Sequence, residues 1–121
     1  MKVTVKITKS FSSAAKPLLK KYRSLSRDLL NLEKELIATP RLGTSLGQDV
    51  YKIRLKISSK GKGKRGGARV ISFVETTLIG LTKKVSDEEV TVNLLTIYDK
   101  GDVENISDKE LKELIKSAEI K

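Results

Sequence analysis

Two hydrophobic periods divide the chain. Val3, Val5 and Ile7 alternate with Thr4, Lys6 and Thr8, a period of two that predicts a strand with one buried face. From Phe11 the period lengthens. Phe11, Ala14, Ala15, Leu18, Leu19 and Tyr22 recur at i, i+3, i+4, i+7, i+8 and i+11, the stripe of an amphipathic helix. Pro17 lies inside the stripe and lacks a backbone donor, so regular helix is expected to begin near it, with Pro17 in the first turn. Ser24 is placed to cap a second helix, with Asp28 in its first turn. Leu25, Leu29, Leu32 and Leu36 mark the inner face of that helix, flanked by Leu30 and Ile37, and Thr39-Pro40 ends it. So short a joint predicts an antiparallel helical hairpin lying over a sheet.

The second half returns to the shorter period. Arg41 to Asp49, RLGTSLGQD, reads as a glycine-bearing loop. Tyr51, Ile53, Leu55 and Ile57 then alternate with Lys52, Arg54 and Lys56. Arg69 to Val74 is apolar on both faces, as a central strand must be. Val85 to Glu89 reads as a turn and Val90 to Tyr98 as a further strand. Ser107-Asp108-Lys109-Glu110 is a capping box; it opens a helix carrying Leu111, Leu114, Ile115 and Ala118. With no internal repeat and no linker, residues 1–121 are expected to form one α+β domain. Its order is β-αα-βββ-α, with the helical hairpin on a small antiparallel sheet.

Charge turns this fold into a functional question. The 121 residues carry a net charge of +10, which points to a polyanionic partner. The charge concentrates in Tyr51–Val70, YKIRLKISSKGKGKRGGARV, which holds no acidic residue. Exposed lysines often only keep a sheet edge soluble, but a surface built for solubility mixes both signs. Cations at Lys52, Arg54 and Lys56 stand about 6.5–7 Å apart on one strand face, close to the phosphate repeat of a nucleic-acid strand. Lys56, Lys60, Lys62, Lys64 and Arg65 are therefore read as RNA-binding, in a basic β-hairpin.

Absences narrow the chemistry. Without cysteine or histidine there is no disulfide, thiolate metal site or imidazole catalysis. Asp87, Glu88, Glu89, Asp99, Asp102 and Glu104 lack metal-ligand spacing, so neither metal nor cofactor is expected. GKGKRGG fails the phosphate-loop pattern, since Gly67 is followed by Ala68-Arg69 and a strand. Two Phe, three Tyr and no Trp are too few for a base-stacking platform. No apolar run suits a spanning helix and the start is unlike a signal peptide, so a cytoplasmic protein without a membrane partner is expected.

The run Y-K-I-R-L, the following G-A-R-V-I, and L-L-T-I-Y-D-K before a short helix resemble the RelE/ParE superfamily of bacterial toxins, on its RelE/HigB side. The resemblance extends from Val3 to about Lys116. It implies the toxin component of a type II toxin–antitoxin system: a ribosome-dependent mRNA endoribonuclease whose partners are the ribosome, mRNA and a cognate antitoxin. Lys52 and Arg54 match the family's strand cations, Arg69 its phosphate-holding arginine, and Lys100 the position of an arginine assisting the leaving group. The chain departs from the family at Ile106, where a tyrosine is usual, and in its long Lys/Gly tip.

The implied reaction is attack of an RNA 2′-hydroxyl on the adjacent phosphate, giving a cyclic phosphate and a free 5′-hydroxyl. Arginine does not deprotonate at ordinary pH, so Arg54 and Arg69 clamp and stabilise the phosphoryl oxygens. Lys52, crowded by other cations, is the candidate base; Lys100 is the candidate acid, with Tyr98 an alternative for either proton. Two rivals share the fold or the charge: a ParE-like gyrase inhibitor, and a nonenzymatic RNA- or ribosome-binding module.

Overall fold

A computed structural model describes residues 2–60, 67–78, 88–101 and 106–119. The elements run β1 (Lys2–Ile7), α1 (Lys9–Lys21), α2 (Leu25–Ala38), β2 (Thr44–Gly47), β3 (Val50–Leu55), a 3-10 turn (Ser58–Lys60), β4 (Ala68–Leu78), β5 (Glu88–Asp99) and α3 (Asp108–Glu119). The sheet order is β1-β5-β4-β3-β2. The α+β architecture and the central place of β4 are as the patterning predicts.

Three local expectations change. First, the sheet is mixed, because β1 pairs with β5 in parallel, Lys2 opposite Glu89 through Ile7 opposite Leu94. The helical pair carries the chain to the far edge, and the antiparallel meander β2-β3-β4-β5 then walks back to arrive beside β1. Second, the stretch read as a loop contains β2, and the stretch read as a turn yields Glu88 and Glu89 to β5. The β2–β3 connection is a tight hairpin. Gln48 and Asp49 both take positive φ, 53° and 64°, the handedness that matches strand twist in a two-residue turn. Third, α1 begins eight residues before Pro17. Thr8 caps it by accepting the Phe11 N–H at 3.2 Å. Pro17 is tolerated because it and Ser13, whose carbonyl loses its donor, both lie on the exposed face.

The helices cover one face of the sheet. Phe11, Ala15 and Leu18 of α1 and Leu25, Leu32 and Leu36 of α2 pack against Ile53, Leu55, Val70, Val74, Val90, Val92 and Ile97. Ser24 does not cap α2 with its side chain. Instead its Oγ donates to the buried Asp28 carboxylate at 2.8 Å, which also accepts from the Ser58 N–H and hydroxyl at 3.0 and 2.6 Å. Asp28 thus fastens α2 to the turn after β3, a larger task than balancing a helix dipole.

The opposite face carries a second cluster, Val50, Ile71 and Leu95, under Leu111, Leu114 and Ile115 of α3. Ser107 caps α3 as its sequence requires, accepting the Glu110 N–H at 3.2 Å while its hydroxyl meets the Glu110 carboxylate. Leu95 reaches this cluster through an irregularity: Ile71 faces Thr96 but Ser72 faces Leu94, so β5 spends one extra residue.

Candidate nucleic-acid interface

Strand register assembles the site. Arg54 on β3 lies opposite Arg69 on β4, and Arg69 lies opposite Tyr98 on β5. Side chains opposite each other in a sheet share a face, so these three stand in one row on the face away from α1 and α2. The next residue of the same face on β3 is Lys52, opposite Ile71, which lies opposite Thr96. Lys52 also borders a depression formed with Leu46, Ile106, Asp108 and Leu111. Ile106 therefore stands where the start of α3 meets Lys52.

The row is uneven in exposure. Arg54 is exposed and Lys52 half-buried, whereas Arg69 retains only 5% of its surface. The Arg69 guanidinium donates to the Ala68 carbonyl at 3.1 Å. Burial, and then the facing Arg54 charge, depress its pKa from the ordinary arginine value. Two like charges directly opposite each other are unfavourable in a sheet, the more so with one desolvated. The Tyr98 hydroxyl is buried without a hydrogen-bond partner among the described residues. Burial raises its pKa and the Arg69 charge partly opposes that, so the phenol stays protonated at neutral pH. The Tyr98 ring belongs to the cluster beneath α3.

Other predicted residues lie apart from the row. Lys56 is exposed just beyond β3. Lys100 is exposed in the turn after β5, its backbone N–H bonded to the Gly67 carbonyl at 3.1 Å. Lys62, Lys64 and Arg65 lie outside the described residues. Lys60 is placed differently from its sequence reading: its ammonium turns to Asp99 at 2.9 Å and sits 5.6 Å from the centre of the Tyr22 ring. It is held by a buried carboxylate on the helical side of the sheet, which takes it out of the basic row.

That carboxylate is the feature the sequence reading passed over. Asp99 accepts from the Tyr22 hydroxyl, from the Gly101 N–H at 3.0 Å, and from Lys60. Burial alone would raise its pKa; the hydrogen bonds and the Lys60 charge outweigh that and hold it down to about 2. The hydrogen bond with Asp99 in turn raises Lys60 above the ordinary lysine value. The signal was available in the alternation, since Tyr98 on the face beneath α3 puts Asp99 on the face beneath α1 and α2. Gly67 completes the junction. A Cβ there would lie 2.0 Å from the Leu55 carbonyl oxygen, so only glycine lets β4 start so close to β3.

No group of described residues has the composition and spacing to hold a metal ion, and no described helix is long and apolar enough to cross a membrane. No known family model matches the chain.

Proposed function

We propose that the chain is a RelE-like toxin that cuts mRNA on the ribosome and is neutralised by a cognate antitoxin. One observation carries the reading: Arg54 and Arg69 face each other across β3 and β4, with Lys52 on the same face and Tyr98 beside Arg69. A phosphate is an anion that two guanidiniums on one face of a sheet can grip together. In this reading Arg54 and Arg69 bind the scissile phosphate and stabilise the charge that grows on its oxygens. Lys52 takes the 2′-hydroxyl proton. Lys100, exposed at the end of β5, returns a proton to the departing 5′-oxygen, and the protonated Tyr98 phenol is the alternative donor. The basic tip, with Lys62, Lys64 and Arg65, holds flanking phosphates.

A second reading has its own support. Arg69 and the Tyr98 hydroxyl are covered, so RNA reaches them only if their cover opens. A nonenzymatic RNA- or ribosome-binding module would use the accessible Arg54, Lys52 and Lys56 and leave Arg69 as a buried strut. Single-turnover cleavage of mRNA on programmed ribosomes separates the two. Codon-dependent cuts ending in cyclic phosphate support the nuclease; binding with no cut in any codon context supports the module.

A further inference from the structure

A second acid-free run lies outside the basic hairpin. No acidic residue precedes Asp28, and the chain up to Arg27 carries eight lysines and arginines. Part of this charge is on α1, whose inner side is Phe11, Ala15 and Leu18. Lys9, Lys16 and Lys20, at i, i+7 and i+11, share its opposite side and are exposed. α2 continues the pattern with a difference. Leu25, Leu32 and Leu36 are its buried side. Half a turn away run Arg27, Leu30, Lys34 and Ile37, at i, i+3, i+7 and i+10. Cation and hydrocarbon alternate in that stripe, and Leu30 is 60% and Ile37 50% exposed. Glu33 and Glu35 stand on its flanks. Among the described residues no carboxylate lies within ion-pair distance of these cations.

Both helices pack on one face of the sheet. Their outer stripes therefore look the same way, away from the row of Arg54, Arg69 and Tyr98. A basic surface alone suits any polyanion. The two aliphatic side chains narrow the choice. Nucleic-acid phosphates give Leu30 and Ile37 nothing to bury against. A partner's acidic helix would rest in a depression, whereas this stripe is the convex ridge of α2; depressions beside the helix lie toward β3 and at its N-terminal end. Aliphatic groups projecting from a convex cationic surface match a plane that offers phosphates outside and hydrocarbon beneath.

We infer that the outer face of α1 and α2 lies against an anionic lipid bilayer. Leu30 and Ile37 enter the boundary between headgroups and acyl chains, and Lys16, Lys20, Arg27 and Lys34 sit among the lipid phosphates. This differs from the absence of a membrane partner expected from sequence, because a helix lying in the surface needs no apolar run long enough to span. The basic row on the other face of the sheet then points away from the bilayer.

The test is flotation of the full chain with vesicles of phosphatidylcholine alone or mixed with phosphatidylglycerol. Binding is expected to the mixed vesicles only. Leu30→Ser with Ile37→Ser replaces side chains already at least half exposed, so the melting temperature should stay near the parent's while binding weakens about tenfold. Arg27→Gln with Lys34→Gln should weaken it about 30-fold, since each cation near an anionic surface is worth about fivefold. Lys112→Gln, exposed on α3, should leave it unchanged. Ile37→Trp gives a direct readout, an emission that shifts to the blue on mixed vesicles. Equal binding to neutral vesicles, or an emission that does not move, would overturn the assignment. So would an equal loss from Lys112→Gln, which would leave net charge as the whole effect. Binding that survives loss of both aliphatic side chains and is displaced by duplex RNA would make the face a phosphate grip and overturn it as well. The vesicle assay reads the helical face and ribosomal cleavage the opposite one, so failure of either inference is visible without the other.

Discussion

Arg69 and Asp99 stand one step apart in the register of β4 and β5, both are buried, and each faces a cation, an opposite charge for Asp99 and a like one for Arg69. Asp99, on the helical face and 3% exposed, receives a phenol, a backbone N–H and an ammonium. Arg69, on the other face, confronts a second guanidinium. The first arrangement suits a charge that holds the fold together, since its desolvation is offset locally. The second sets two guanidiniums side by side, which in the nuclease reading is what a shared phosphate would bridge. In the nuclease reading, these neighbouring positions of one sheet separate a clasp from a grip.

The sharpest way to break this contrast is to remove each charge and measure both stability and cleavage. Arg69→Met removes the charge, and with it the repulsion of Arg54, while an unbranched chain fills the space, so thermal stability should fall less than on loss of Asp99. Cleavage on programmed ribosomes should fall by about 10²–10³-fold, because the lost donor acts on charge that grows in the transition state. Ribosome affinity should change far less. Lys52→Ala should depress cleavage comparably through loss of the base. If Arg69→Met unfolds the protein, or lowers binding and cleavage equally, Arg69 is a strut.

Asp99→Ala should show the reverse. It leaves Lys60 beside a carboxylate-sized gap, and a loss of about 3 kcal/mol is expected, read from urea unfolding. Any fall in cleavage should recover where the variant is folded, at low temperature. The pH dependence follows from the same clasp. Its folded pKa, about 2, lies below the ordinary 3.8. The stability it supplies is therefore complete above about pH 4 and is lost as pH falls through 2. Acid melting curves of the parent should steepen over that window relative to those of Asp99→Asn. Parallel curves would mean that the clasp contributes nothing.

The sequence made the strands and the row of cations legible because a period of two survives in any register: Lys52 and Arg54 share a face whatever pairs with them. It could not reveal the parallel β1–β5 pairing, which depends on where the helices set the chain down. It hid β2 because Thr44–Gly47 is exposed throughout and so carries no alternation. The ion pair of Lys60 was hidden for a related reason. Its neighbours in the chain are basic, but its neighbour in space is Asp99, brought to it by β5 and the turn after β3. Local charge runs say which residues are cationic; only tertiary pairing says which of those charges are already answered.

The smallest expected effect sharpens the grip's outer margin. If about four to six phosphates are bound, counterion release should lower RNA or ribosome affinity by roughly 10²–10³ between 50 and 200 mM salt. Lys62 at the basic tip would supply one of these contacts, worth about 0.9 in the slope of log affinity against log salt. Over that fourfold range the cost of Lys62→Ala should shrink by about threefold, with the cleavage step per bound complex unchanged. Arg54→Ala, whose guanidinium faces Arg69, should instead lower the cleavage step at every salt concentration, because its partner charge is buried and poorly screened. A Lys62 effect that ignores salt would place that residue in a specific contact. An Arg54 effect that vanishes at high salt would move Arg54 out of the reacting row and make it a screened phosphate contact.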